Sequence, residues 1–393
     1  MAFLPAFWFL NIGMFGSVMT GDLFNLYVWF EMMLIGSFIL MGLGNPKVWL
    51  SNKFKYVVLN LIGTLLFLTA IAFVYGMAGT LNMADLAVYF GQAHQPPGLD
   101  LMVMLFLLLG LSVKAALFPV FSWLPASYHT TSATASAIMG GLLSKIGVYV
   151  MIRLFTLIYP LSHAPLLRDI LLILAALTMV IGVLGAAAQY NYRRILSFHI
   201  ISQIGYMIFG LALNTPLALA ATLFFIAHNI LAKTSLFLTG GVAQHVTKNN
   251  DIRHMGGLYR QTPSLAALFL ISALALAGIP PLTGFWAKFL LIQESLSNHF
   301  VLLAGIALAV SILTLYSMLK IWAYAYLSRR EQLSPYIVEK IQYLGLIAPI
   351  IFIVGIILLF SFLPQPLYSY CESVAQQLFN APLYIQTVLG ATS

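Results

Sequence analysis

Charge is what this sequence has least of. Only 7% of its 393 residues are Asp, Glu, Lys or Arg, where a soluble globular domain carries about 25%. Cysteine is nearly absent as well. Cys371 stands alone, which excludes an internal disulfide and a cysteine-based metal site. No Walker A or G-x-G-x-x-G pattern occurs, so the glycine-rich cradles of nucleotide phosphates are not encoded. No Lys or Arg precedes Lys47, and the first apolar run therefore lacks the basic flank of a cleavable signal. The sequence opens inside a hydrophobic segment, which points to sequence missing upstream. The net charge of +8 comes with no basic run interleaved with aromatics, which sets nucleic acid aside as a partner.

What is abundant is hydrocarbon. Hydrophobic residues make up 61% of the chain, in runs near the roughly 20 residues that cross a bilayer as a helix. Eleven such segments are predicted, at 1–19, 22–43, 55–78, 101–124, 129–156, 167–188, 194–214, 216–243, 263–293, 300–327 and 341–363. The class is an all-α polytopic membrane protein, with the lipid bilayer as solvent. From Leu363 onward the sequence is mixed and is expected to lie along the interface.

Loop charges assign an orientation. Alternate loops carry Lys47, Lys53 and Lys55; Arg193 and Arg194; Lys248, Arg253 and Arg260; and Arg329, Arg330 and Lys340, against Arg168 alone in the opposite set. Positive loops stay in the cytoplasm, so Met1 is expected there and the C-terminal tail outside. Segments one to five (1–156) and six to ten (167–327) read as two five-helix units, followed by a final helix (341–363) and the tail (364–393). In each unit the fourth segment is proline-broken, in FPVFSWLP around Pro119 and GIPPLTGFWAKF around Pro280 and Pro281. Five is an odd number, so the second unit is inverted relative to the first, and inverted repeats with broken helices are a transporter signature.

The few charges inside these segments carry the chemistry. A lysine at the bilayer centre costs about 2.5–3.5 kcal/mol on insertion scales and marks an ion pair or a hydrated pathway. Lys114 lies five residues before Pro119, and Lys145 lies midway along the next segment, too deep to snorkel easily. Glu31, set among Trp, Phe and Met, would be neutral if alone, and Lys114 is its expected partner. A purely structural salt bridge is the plainer reading of that pair. Arg153 and Lys320, nearer their helix ends, are read as snorkelling side chains. His228 and Lys233 share a segment five residues apart, Lys288 follows the second break, and His199 sits in SFHIISQIGYM with Ser202 and Gln203. A single buried histidine is usually a packing residue. Several protonatable groups in one hydrophobic chain favour a water-linked proton relay instead. Sodium has few ligands here, since only Asp22, Glu31 and Glu294 offer carboxylates near these segments, and Asp22 reads as a helix cap.

At these residues the chain resembles a known family. TGDLFNLYVWFEMML, KYVVLNLIGTLLFLTAIAFVYGMAGTLNMADLA, the Lys114-to-Lys145 stretch, FHIISQIGYM, AHNILAKTSLFL and AGIPPLTGFWAKF resemble the antiporter-like membrane subunits of complex I and Mrp systems, and most closely the D subunit of Mrp-type Na+/H+ antiporters. The resemblance implies a fourteen-helix fold on two inverted repeats, with three helices ahead of the point where this sequence begins. It implies a Glu31–Lys114 pair, Lys145 as connecting lysine, His228 and Lys233 as the second-half relay, and Lys288 as terminal lysine, with His199 in a family-like motif. It implies H+ and Na+ as transported ions, further antiporter subunits as partners, and no cofactor or metal. The alternative is a proton-pumping subunit of an NADH:quinone oxidoreductase or membrane-bound hydrogenase. In that setting the chain would be a non-redox part, since it carries no flavin, iron–sulfur or nicotinamide signature.

Overall fold

The computed structural model describes residues 3–43, 50–92, 98–328 and 340–390. Met1, Lys47, Arg329 and Arg330, which carry part of the orientation reading, lie outside them. Among the described residues the secondary structure is helical, with two isolated β-bridges. In chain order the main helices are α1 (Phe3–Met19), α2 (Leu23–Gly42), α3 (Leu50–Ala78), α4 (Met83–Phe90), α5 (Leu99–Ala115), α6 (Trp123–Ser127), α7 (Ala133–Ile158) and α8 (Pro165–Ala188). They continue with α9 (Tyr192–Leu213), α10 (Pro216–Thr247), α11 (Pro263–Ala277), α12 (Thr283–Ser297), α13 (Val301–Leu327), α14 (Lys340–Phe362), α15 (Gln365–Phe379) and α16 (Ala381–Leu389).

All eleven expected segments appear, but among the described residues only eight are single helices long and apolar enough to cross a membrane. Of the other three, α1 has 17 residues, and the fourth and ninth are divided. The fourth stops at Ala115 and resumes as α6, five residues long. The ninth divides into α11 and α12, of 15 residues each. The tail forms two further helices. α15 packs along α10 and buries Cys371 and Ala375 on one face.

The two halves carry the same landmarks. Asp22 and Asn82 form one antiparallel bridge, Asn191 and Asp251 the other, both partners displaced by 169 residues. Leu23 N–H donates to Leu81 O (3.0 Å) and Met83 N–H to Gly21 O (2.8 Å). In the second half Tyr192 donates to Asn250 O and Ile252 to Tyr190 O, each 2.9 Å. The same residues start the helices that follow. Asp22 accepts from Asn25 N–H and Asn191 from Arg194 N–H, each satisfying an orphan donor of the first turn. The fifth helices also end alike, in a π-turn closed by Tyr159 N–H on Leu154 O and by Ser328 N–H on Ala323 O (both 2.9 Å). With five segments per unit, the matched bridges fall on opposite faces of the bundle, which is an inverted repeat.

α9 lies at the centre. It is buried on almost every side, unlike a surface helix with one apolar stripe. His199 and Gln203 are therefore set deep in protein, within reach of α8, α10 and α13.

Candidate functional site

In the first half, α5 ends because Ala116 turns left-handed (φ 61°) ahead of Pro119. The freed carbonyls are taken up locally: Leu117 N–H closes on Ser112 O (2.9 Å) and Trp123 Nε1 donates to Val113 O (2.9 Å). Lys114, in this last turn, is 3% exposed. A cation there meets the negative end of the helix dipole. Its Nζ reaches sideways to α3, donating to Thr64 Oγ1 and to Asn60 O (3.4 Å), with the Phe30 ring centroid at 5.9 Å. Glu31, one residue after Phe30, lies near enough for its charge to act on Lys114. The expected pair is thus not a direct one. No hydrogen bond joins the two side chains, and Glu31 Oε1 is a buried atom with no partner. The Lys114 amine is held by neutral oxygens of α3, with Glu31 near but not bonded to it.

Lys145 follows a π-helical turn, Met139–Leu143, and donates back to Gly140 O at 2.5 Å. It does not touch Lys114. What joins them is a close helix crossing: a Cβ on Gly147 would meet Ala115 N at 2.9 Å, so α5 and α7 nearly touch one residue past Lys114 and two past Lys145. Ser144 Oγ beside Lys145 has no partner.

The second half gathers the remaining candidates. Lys233 is fully buried and donates to Leu196 O of α9 (3.4 Å), and the charges of Lys145 and Lys288 both act on it. His228 pairs through Nδ1 with Thr283 Oγ1 (2.7 Å) at the start of α12, while its Nε2 has no partner. Five residues apart on α10, His228 and Lys233 thus face different neighbours. His199 Nε2 meets Ser317 Oγ of α13, leaving Nδ1 without a partner. Lys288 Nζ donates to Leu276 O and Ala277 O (3.1 Å each) and lies 4.9 Å from the Tyr206 ring centroid. Those two carbonyls end α11, so Lys288 caps the broken helix at the negative end of its dipole.

The structure therefore gathers Lys145, Lys233, Lys288, His199 and His228 into one electrostatic cluster and Glu31 with Lys114 into another. Between and around them, Asn60 Oδ1, both amide atoms of Gln203 and Asn229 Oδ1 are buried without protein partners. Buried polar atoms are almost always hydrogen-bonded, to ordered water where protein offers nothing. Sequence reasoning does not single out Asn60, Thr64, Asn229, Thr283 or Ser317. The spacing Asn60–Thr64, four residues apart in an apolar run, is the one signal that could. Among the described residues no three His, Cys, Asp or Glu side chains converge as a metal site.

The family model described as "NADH:quinone oxidoreductase/Mrp antiporter, TM" matches residues 20–314, a span that holds both clusters. The chain belongs to that family. Among its members, the D subunit of a Na(+)/H(+) antiporter of Alkalihalophilus pseudofirmus is 44% identical over 388 residues, 98% of this chain and 78% of that protein. A chain of the Mrp complex from Dietzia sp. superposes with TM-score 0.90 at 31% identity, covering 98% of this chain and 79% of the other. A chain of an archaeal membrane-bound sulfane sulfur reductase, a respiratory membrane complex, gives TM-score 0.87 at 25% identity over 98% and 77%. Family membership covers both broken segments and every candidate lysine and histidine.

Arg153 and Lys320 part ways in this frame. Lys320 does not snorkel: its Nζ donates to Ala187 O and Gln189 O (2.6 Å each) and so caps α8. Arg153 stays partly exposed and folds under Tyr384 of α16, 5.2 Å from the ring centroid.

Proposed function

We propose that this chain is the D-type, proton-translocating membrane subunit of a multi-subunit Na+/H+ antiporter. Protons move through Glu31, Lys114, Lys145, His228/Lys233 and Lys288, with His199 beside the second-half cluster. The observation that carries this reading is the row of buried lysine amines held by neutral carbonyl and hydroxyl oxygens, with unpartnered polar atoms of Glu31, Asn60, Ser144, Gln203, His228 and Asn229 next to them. A lysine so placed can give up a proton and take one back as neighbouring charges change. Water bridging the unpartnered atoms supplies the steps between. Glu31, coupled to Lys114 without a direct bond, biases the first lysine. Lys145 and Lys288, flanking Lys233, bias the middle one by repulsion.

Residues 1–156 and 167–327 are the two translocating units, 341–363 a closing helix and 364–393 an outer tail. The chain sits in the cell membrane with its first residues on the cytoplasmic side and the tail outside, in agreement with the loop charges and an odd number of crossings. Its partners are the other membrane subunits of the antiporter. Sodium as the exchanged cation follows the antiporter relatives. The 44% identity to an antiporter subunit, against 25% to the respiratory complex, favours antiport over redox-driven pumping.

The test is Na+-driven proton movement in everted vesicles bearing the assembled complex, with and without Lys114→Ala. Exchange should fall by at least about tenfold, a rise of about 1.4 kcal/mol or more in the rate-limiting barrier. Unchanged exchange in a complex that assembles normally would remove Lys114 from the pathway and the proposal with it.

A further inference from the structure

Outside the relay, Arg153 stands beside a cavity without a counter-charge among the described residues. Arg153 lies five residues before the end of α7, about 7.5 Å along a helix rising 1.5 Å per residue. That depth is close to the thickness of a bilayer's polar zone, about 5–7 Å on each side of the hydrocarbon. Among the described residues its guanidinium meets only neutral groups: Tyr149 OH (3.4 Å), Tyr384 OH (3.3 Å) and Met83 Sδ (3.6 Å). Its Nε is buried and has no partner. A partly buried cation with no counter-ion favours a ligand that supplies one.

Beside it opens a cleft of about 420 Å³ between α7, α10, α15 and α16, within the size range of small-molecule sites. Leu157, Leu223, Leu378 and Leu383 make most of its lining apolar, with Gln377 and Asn380 adding amide groups near Arg153, and none of the described lining residues is Asp or Glu. One cation, two amides and a hydrocarbon wall at headgroup depth match a particular kind of molecule. We propose that this cleft holds an anionic phospholipid. The phosphate takes the accessible part of the Arg153 guanidinium, a group whose planar fork of donors suits phosphate, and the acyl chains lie against the four leucines. The two tail helices form one wall of the cleft, so the lipid ties them to the first half of the bundle. The site stands whether or not the chain conducts protons.

Native mass spectrometry of the assembled complex tests this after delipidation and titration with phosphatidylglycerol or phosphatidylcholine. Phosphatidylglycerol should be retained at least about tenfold more tightly, equivalent to about 1.4 kcal/mol. Arg153→Gln should erase that preference. Leu378→Trp, which fills the cleft and leaves the arginine in place, should displace phosphatidylglycerol equally. It serves as the deciding variant if Arg153→Gln fails to assemble. Equal retention of both lipids, or retention unchanged in the variants, overturns the proposal. Displacement of the lipid by millimolar inorganic phosphate, without help from an acyl chain, would mark a simple anion site and overturn it too.

Discussion

The two proline breaks are built alike and used differently. Each closes with a six-residue turn, Leu117 onto Ser112 and Ile279 onto Leu274, the hydrogen bond of a Schellman end. Each passes through one left-handed residue, Ala116 at φ 61° and Gly278 at φ 88°, so the two breaks are displaced by 162 residues. The amines then diverge. In the first half the lysine sits on the broken helix itself and leans on Thr64 and Asn60 of α3. In the second, the position matching Lys114 is Leu276, and its carbonyl receives Lys288 from beyond the break. The helix α10 that corresponds to α3 keeps the asparagine, as Asn229, but carries Lys233 where α3 has Thr64, at the same displacement of 169 residues as the bridges. The repeat thus preserves a backbone break next to a buried amine and moves the amine from helix to helix. What persists is the electrostatic niche, made of terminal carbonyls and an inward polar face. The residue that fills it is free to change.

Breaking that difference should have the largest effect. Lys233→Thr gives α10 the side chain of α3 and removes the group lying between Lys145 and Lys288 in charge coupling. Exchange in vesicles should fall more than about tenfold, at least 1.4 kcal/mol in the barrier, with assembly intact. Exchange at the native rate would mean that the second half does not need an amine on α10. Thr64→Val is the smaller counterpart in the first half. It keeps shape and removes the hydroxyl that accepts from Lys114, leaving a buried donor underused at a cost of about 1–3 kcal/mol. A fall in the unfolding midpoint in detergent, together with slower exchange, is expected. An unchanged midpoint would show the Lys114–Thr64 contact to be incidental.

The breaks themselves can be exchanged in a second pair. Gly278→Ala places a Cβ at φ 88° that would meet Lys288 Cδ at 3.0 Å. It should cost about 1–2 kcal/mol for the left-handed conformation alone and disturb the capping lysine as well. Ala116→Gly runs the other way and relieves the same penalty, offset by the roughly 0.5–1 kcal/mol that glycine loses in chain entropy. Its net change should lie near zero or slightly toward stability. Unfolding midpoints that moved the same way in both variants would contradict the matched geometry of the two turns.

Much of this architecture can be read from residue order, because hydrocarbon length and proline placement act locally. Eleven apolar runs, two breaks and the lysines beside them follow from spacing alone. The partners of those lysines do not. Thr64 and Asn60 lie 50 and 54 residues from Lys114 in sequence, and only the crossing of α3 with α5 brings them together. The attraction of opposite charges in hydrocarbon predicts a Glu31–Lys114 bond, yet neutral oxygens of α3 reach the ammonium first. Nearness to a helix end predicts that Arg153 snorkels. Tyr384, 231 residues further along, closes over it, and no local pattern announces that contact. The tail's helices are equally hidden, since α15 mixes exposed polar residues with the few that it buries, Cys371 and Ala375.

The smallest effect tests the two bridges. Asp251 accepts from Arg253 Nη2 at 2.6 Å and from its Nε at 3.0 Å. Chiefly through that hydrogen bond, and against some burial, the carboxyl is held below its ordinary pKa, with His254 adding to the effect. A carboxylate with a lowered folded pKa stabilises the fold wherever it is ionised. Its contribution is complete above the unfolded value of about 3.9 and is lost as pH falls through the folded value. Protection of the Tyr192 and Ile252 amides against hydrogen exchange, corrected for the intrinsic rate, should therefore decline below about pH 4. Asp251→Asn installs the side-chain type found at the matching position of the first bridge, Asn82, whose amide does not titrate. That variant should lower protection modestly at neutral pH and flatten its decline in acid. The pair is exposed, with 52% and 28% of its side-chain surfaces open to solvent, so screening keeps the change small. A decline as steep in Asp251→Asn as in the native chain would assign the acid sensitivity of this bridge to another group.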